Sequence, residues 1–272
     1  MTSPIWLNGT LVAPGDATVP ALDHGITVGD GVFETLRVYG GVPFAADRHL
    51  DRLLRSGAGL GLELPDRDLL ARAIEEVTAA AGLPDCRLRL TVTAGDGPLG
   101  SGRTAGACTV VAAVAPLDPV AATTDVVTVP WVRNERSPLA GLKTTSYAEN
   151  VVALARAKAA GASEALFANT RDELCEGTGT NVFVVLDGEL VTPPLSSGCL
   201  AGITREVVLE CTDAVERTLP FTVLAEADEV FLTSSTREVQ AVARVDGRGV
   251  PAAPGPVTVA ALAAFRARLP AG

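Results

Sequence analysis

The sequence predicts a two-domain α/β (α+β) protein, and three observations carry the prediction. A chain of 272 residues, 47% of them hydrophobic, exceeds the usual size of a single core and holds material for two. Short runs with strand-like patterning, closed by Gly, Asn or Asp, are interspersed with longer stretches that carry helix start signals. Pro116-Leu117-Asp118-Pro119 marks a change of composition, after which a second set of strands and helices begins. The expected division is an N-terminal α/β domain over 1–117, a linker over 118–122 and a C-terminal domain over 123–272.

The elements follow in order. Ile5-Trp6-Leu7 and Leu11-Val12 flank Asn8-Gly9, a pair that tolerates positive φ and so suits a tight hairpin. Residues 31–39 alternate apolar and polar side chains before Gly40-Gly41, the pattern of a half-buried strand entering a second hairpin. Helices are expected over roughly 47–60 and 66–81, the second introduced by Pro65 and by acidic residues that favour a helix N-terminus. Strands over 86–94 and 107–115 enclose the glycine-rich stretch from Gly95 to Gly102, which forbids a regular element. This loop, 95–107, is the expected border of a pocket and seat of specificity. Beyond the linker the pattern gives a helix over 147–160, a strand over 165–168, a hairpin at Asp187-Gly188 and a helix over 204–212.

Composition excludes several functions. A net charge of −10 with no basic stripe argues against a nucleic-acid partner and for small-molecule chemistry. The N-terminus lacks a basic region followed by an apolar core, and no stretch is long enough to span a bilayer, so a soluble cytoplasmic protein is expected, with no membrane partner. Cys86, Cys108, Cys175, Cys199 and Cys211 are odd in number and scattered, which fits reduced thiols rather than a disulfide framework or zinc site. With only His24 and His49, a histidine-based metal centre has no ligands to draw on, and no metal is expected.

Lysine is scarce, which narrows any search for a nucleophilic amine to Lys143 and Lys158. An amine that attacks a carbonyl must spend part of its time uncharged, through burial or neighbouring dipoles. Lys158 precedes Gly161 in an Ala-rich stretch, where a cation complements the carbonyl end of a helix. Lys143, in Gly-Leu-Lys-Thr-Thr-Ser-Tyr, is therefore the candidate Schiff-base lysine, with the Tyr147 hydroxyl near the same ligand. Glu176 precedes flexible backbone and a strand; a buried carboxylate there needs a positive partner, such as a ring nitrogen, to stay ionised. Gly202-Ile203-Thr204 opens a helix whose free N–H groups form a natural phosphate site. Ser235 and Thr236 lie in a hydroxyl-rich turn suited to phosphate or carboxylate, and Arg52 can supply a forked phosphate contact. Arg89 on a strand and Arg103 in the glycine-rich loop are candidate carboxylate clamps. Each signal has a bland equivalent, such as a packing tyrosine, a turn glutamate, a Thr N-cap or a solvated arginine; their joint occurrence is the evidence.

The segments Gly29 to Glu34, the Arg52 helix, the Lys143 segment, Glu176 with Asn181-Val182-Phe183, Gly202 to Arg205, and Ala227 to Thr236 together resemble the class IV aminotransferases. That family comprises branched-chain aminotransferases, D-amino acid aminotransferases and aminodeoxychorismate lyases, and the resemblance covers nearly the whole chain. It implies the two-domain PLP fold-type IV, D-amino acid aminotransferase-like, with the C-terminal domain binding pyridoxal 5'-phosphate. It further implies an imine at Lys143, Tyr147 near the cofactor's phenolic oxygen, and Glu176 on its pyridine nitrogen. The phosphate would fall to Arg52, Gly202, Ile203, Thr204 and Ser235, and substrate contacts to Phe33, Arg89, Arg103 and Thr236. Similar enzymes are homodimers.

The implied reaction moves an amino group from a D-amino acid or branched-chain amino acid to a 2-oxo acid through pyridoxamine phosphate. Tyr147 resembles the residue of branched-chain enzymes, while Phe33 departs from the tyrosine of well-known D-amino acid enzymes. The short length and the lead-in Ser137-Pro138-Leu139-Ala140-Gly141 resemble the lyases, which release pyruvate from aminodeoxychorismate and form the alternative. A noncatalytic cofactor-binding protein is a remote third reading.

Overall fold

The computed structural model describes residues 3–106 and 108–270. Its contacts divide the chain into two compact units. The first holds the chain up to Asp118 together with the distant segment Leu142–Tyr147; the second holds Pro119–Gly141 and Ala148–Leu269.

In the first unit, strands β1 (Ile5–Leu7), β2 (Thr10–Val12), β3 (Gly31–Tyr39), β4 (Val42–Pro43), β5 (Cys86–Thr93) and β6 (Thr109–Pro116) form one sheet. Its order is β2-β1-β6-β5-β3-β4, and all its pairings are antiparallel. The first hairpin turns on Asn8 and Gly9, at φ 46° and 102°, as the sequence predicts. Ala107, where the predicted strand over 107–115 begins, lies outside the described residues. A four-residue helix, α1 (His24–Thr27), precedes β3, and α2 (Ala46–Leu60) and α3 (Arg67–Ala81) match the two expected helices to within a residue. Alternation along β3 and β5 sends Val32, Leu36, Val38, Leu88, Leu90 and Val92 to one face, where they meet Leu50, Leu53, Leu70, Ile74 and Val77 of the helices. Glu34 shares that apolar face and is fully buried.

The segment Leu142–Tyr147 behaves as an added edge to β3. Phe33 N–H donates to the Lys143 carbonyl at 3.0 Å, Thr145 N–H donates to the Gly31 carbonyl at 2.8 Å, and Val32 bridges to Thr144. These bonds give otherwise unpaired strand-edge groups their partners.

The second unit is built on β7 (Thr123–Arg133), β8 (Glu164–Asn169), β9 (Leu174–Gly177), β10 (Asn181–Leu186), β11 (Glu189–Thr192), β12 (Val215–Glu216), β13 (Glu229–Ser234), β14 (Glu238–Val245) and β15 (Arg248–Gly249). The order is β12-β11-β10-β13-β14-β7-β8-β9, with β15 beside β14. β7 runs parallel to both β14 and β8. The return from β7 to β8 includes α4 (Ala148–Ala159), while α5 (Ile203–Cys211) follows β11 and α6 (Pro256–Arg266) closes the chain. This sheet is buried on both faces. Ala165 and Phe167 of β8 enter one cluster with Ala153 and Ala157 of α4, and Leu166 enters another with Val184, Val230 and Leu232.

α6 carries no sequence expectation. Pro256 occupies its first turn, and its N–H groups are met from across the unit by Glu229, which accepts from Val257 N at 3.0 Å and Thr258 N at 2.7 Å. Among the described residues no helix is long and apolar enough to cross a membrane, and no cluster of three or more His, Cys, Asp or Glu is placed to hold a metal.

Candidate active site

In the first unit the candidate residues converge on one ring. Phe33, on the β3 face opposite Glu34, is 3% exposed. The Lys143 ammonium nitrogen stands 4.5 Å from its centroid, and the Arg89 guanidinium carbon lies 3.7 Å from the same centroid. Tyr147 meets the ring edge-on at 5.1 Å. Aromatic faces attract cations, so Phe33 holds an amine and a guanidinium beside one another. Burial lowers the Arg89 pKa from its ordinary value, with the charge of Tyr147 opposing.

The backbone of Lys143 is fixed on both sides. Its carbonyl accepts from Phe33, and its N–H donates to the buried Ser56 hydroxyl of α2 at 3.1 Å. Three and seven residues back along α2 from Arg52 and Ser56 stands His49, so His49, Arg52 and Ser56 form a polar stripe on one helix face. Arg52 is 5% exposed and makes a forked contact with Glu34: Nε to Oε1 at 2.8 Å and Nη2 to Oε2 at 2.6 Å. His49 Nδ1 lies 2.6 Å from Oε2 of the same carboxylate. Burial alone would raise the Glu34 pKa, but the hydrogen bonds and charge of Arg52, helped by His49, outweigh it and bring it to about 2. His49 is pushed below its ordinary value by burial first, although Glu34 pulls the other way.

Arg103 is committed within the glycine-rich loop. It forks onto Asp30, Nε at 2.6 Å and Nη2 at 2.7 Å, and donates to the carbonyls of Leu60 and Gly61 at the end of α2. It thereby ties the loop to the start of β3 and the end of α2.

In the second unit Glu176 sits on β9, paired with Phe167 of β8. One carboxylate oxygen accepts from Leu200 N–H at 2.9 Å, and the other lies 3.1 Å from Arg133 Nε. Arg133 in turn reaches Glu149 at 2.7 Å and stacks 4.1 Å from the Phe167 centroid. Gly202 is the N-cap of α5, and the helix start has no side-chain cap hydrogen bond. A Cβ on Gly202 would collide with Asn181 Oδ1, so a larger residue there would displace the Asn181 side chain, which donates to the Leu200 carbonyl. Ile203 and Thr204 are buried in the first turn; Thr204 is its second residue and not its cap. Ser235 and Thr236 occupy the half-buried turn between β13 and β14.

Sequence reasoning missed Glu34, His49, Ser56 and Arg133 as parts of the site. Glu34 left a signal, a charge on the apolar face of an alternating strand, and His49 a second one, at helical spacing from Arg52. Arg133 left none, because its partners come from three separate elements.

A family model described as "Amino-transferase class IV" matches residues 31–245. The chain belongs to the class IV aminotransferases. It is 36% identical over 255 residues to a putative branched-chain-amino-acid aminotransferase of Methanocaldococcus jannaschii, covering 90% of this chain and 88% of that one. It is 33% identical to a D-alanine aminotransferase of Bacillus licheniformis, with 93% of each chain covered. The PLP-bound form of a hypothetical aminotransferase from Mycobacterium tuberculosis superposes with a TM-score of 0.86 at 27% identity, over 97% of this chain and 98% of that one. As a class IV aminotransferase this protein is a pyridoxal-phosphate enzyme that transfers an amino group from an amino acid to a 2-oxo acid. Nothing in these relatives favours the aminodeoxychorismate lyase alternative. The residues present fit the cofactor: an amine held over an aromatic ring, a carboxylate steadied by a backbone N–H, and a helix start without a side-chain cap, where glycine lies close against Asn181.

Proposed function

We propose that Lys143 carries pyridoxal phosphate and that the enzyme, a cytoplasmic homodimer, takes its amino group from a branched-chain or D-amino acid. The observation that carries this reading is the Phe33 cluster, in which the Lys143 amine and the Arg89 guanidinium share one ring. When bound, the cofactor supplies an electron sink for the pair left on the amino acid's α-carbon. With the cofactor bound, Lys143 would be the group that moves a proton between the amino acid's α-carbon and the cofactor's C4′, as base and then acid. Glu176, its carboxylate held by the Leu200 N–H and Arg133, would keep the ring nitrogen protonated. Tyr147 would hold the cofactor's phenolic oxygen. Arg52, the first-turn N–H groups at Ile203 and Thr204, Gly202 through its close approach, and Ser235 receive the phosphate.

Arg89 binds a substrate carboxylate against the Phe33 wall, with Thr236 as a further substrate contact. Arg103 acts by shaping the loop, which it ties to Asp30 and to the carbonyls of Leu60 and Gly61. Borohydride reduction followed by peptide mapping tests the lysine assignment, with the adduct expected on Lys143. An adduct on Lys158 removes the reading. Donor choice is read from bleaching of the cofactor band with paired L and D enantiomers.

A further inference from the structure

We propose that Glu34 and His49 are a buried positioning pair that aims Arg52 at the cofactor phosphate; this rests on the reading of Arg52 as a phosphate ligand. The geometry points to it in three ways. First, Glu34 grips the Nε/Nη2 edge of the guanidinium at 2.8 and 2.6 Å, which fixes the plane of the group and turns Nη1 away from the carboxylate. Second, His49 Nδ1 binds the same oxygen that receives Nη2, at 2.6 Å, so Glu34 cannot rotate without breaking two contacts. Third, the frame is rigid. Glu34 lies mid-strand in β3, paired residue by residue with β5, and His49 and Arg52 stand one turn apart on α2, which packs on that strand.

Two effects compete. The Glu34 charge repels a phosphate dianion and on electrostatics alone would weaken its binding. Against this, an arginine without its fork partner regains rotamer freedom, and the plane of its guanidinium is no longer fixed. Orientation wins here because Arg52 is held in the apolar core face, where a misdirected guanidinium forfeits the charge-assisted bond altogether.

The test compares dissociation constants of two probes for the full-length apo-enzyme: pyridoxal phosphate, and pyridoxal, which lacks the phosphate. Glu34→Gln and His49→Leu are expected to weaken pyridoxal phosphate by about tenfold while leaving pyridoxal unchanged, the loss of one bond to a charged group. His49→Asn, whose amide nitrogen can stand where Nδ1 stands, is expected to restore the wild-type ratio. Equal weakening of both probes, or tighter phosphate binding in Glu34→Gln, overturns the proposal. Should Glu34→Gln fold poorly, the His49 pair gives the same comparison. Arg52→Met separates the two readings. An unchanged ratio there removes the phosphate role of Arg52 itself, whereas a changed ratio in Arg52→Met with none in the Glu34 and His49 variants removes only the positioning pair.

Discussion

Two buried carboxylates, one in each unit, have opposite fates. Glu34 is 0% exposed and Glu164 3%. Glu34 meets a forked arginine and a histidine, all at 2.8 Å or less, and its pKa falls to about 2. Glu164 accepts N–H bonds from Thr178 at 2.9 Å and Ala165 at 3.3 Å, while Arg237 stands 3.9 Å away. Burial raises the Glu164 pKa, and those contacts only partly offset it. Backbone dipoles reduce the cost of burying a carboxylate; a guanidinium in direct contact reverses it. The first arrangement keeps a charge where it can organise other groups, and the second favours a neutral acid.

The largest expected effect separates these cases most sharply. Glu34→Ala strands Arg52 in the core and should cost about 3–5 kcal/mol in a urea unfolding series, whereas Glu34→Leu combined with Arg52→Met should recover most of it. A single-variant loss below about 1 kcal/mol would mean that Arg52 reaches water freely, and the contrast would fail.

Acid titration comes next. The folded pKa of Glu34 is depressed from 4.5 to about 2, so its contribution is complete above 4.5 and is lost as pH falls towards 2. The folded pKa of His49 is also depressed, from 6.5, so the unfolded chain takes up protons first and stability declines as pH falls below 6.5. Melting temperature should therefore drop in two stages on acidification, and His49→Asn should flatten the upper one.

Ser56→Ala extends the comparison to a neutral partner on the same helix face. Removing the hydroxyl that accepts from Lys143 N–H should cost about 1 kcal/mol of stability. It should also lower kcat more than it raises KM, because the amine loses its anchor. Equal effects on both would assign Ser56 to packing.

Glu164→Gln should be the mildest, within about 1 kcal/mol, since the amide oxygen can still accept from the Thr178 and Ala165 N–H groups. A raised folded pKa means that the wild-type contribution is fullest below 4.5 and is lost as pH rises through the folded value. The variant should gain on the wild type over that interval. A gain as pH falls would reverse the assignment.

Much of the fold was legible because its signals are local. The Asn8-Gly9 turn, the alternation of β3 and the two helices after it each depend on neighbours within a few residues. α6 was not legible, since the group that caps it, Glu229, lies 28 residues from Val257. In the site, Lys143, Glu176 and Arg89 could be singled out by residue type, but Arg103 presents the same type and is spent on Asp30 and two carbonyls. Residue type alone does not distinguish an arginine stacked on an aromatic ring from one forked onto a carboxylate.

The sequence by itself determined the periodicities, the turns, the scarce amine and the family, because each is written in residue types at short or fixed spacing. Only the tertiary structure decided that Leu142–Tyr147 would lie along β3, that Phe33 would gather Lys143 and Arg89, and that Glu34 would enter a core as an anion. Those outcomes depend on desolvation and on partners brought together from distant positions, and both are properties of the packed chain.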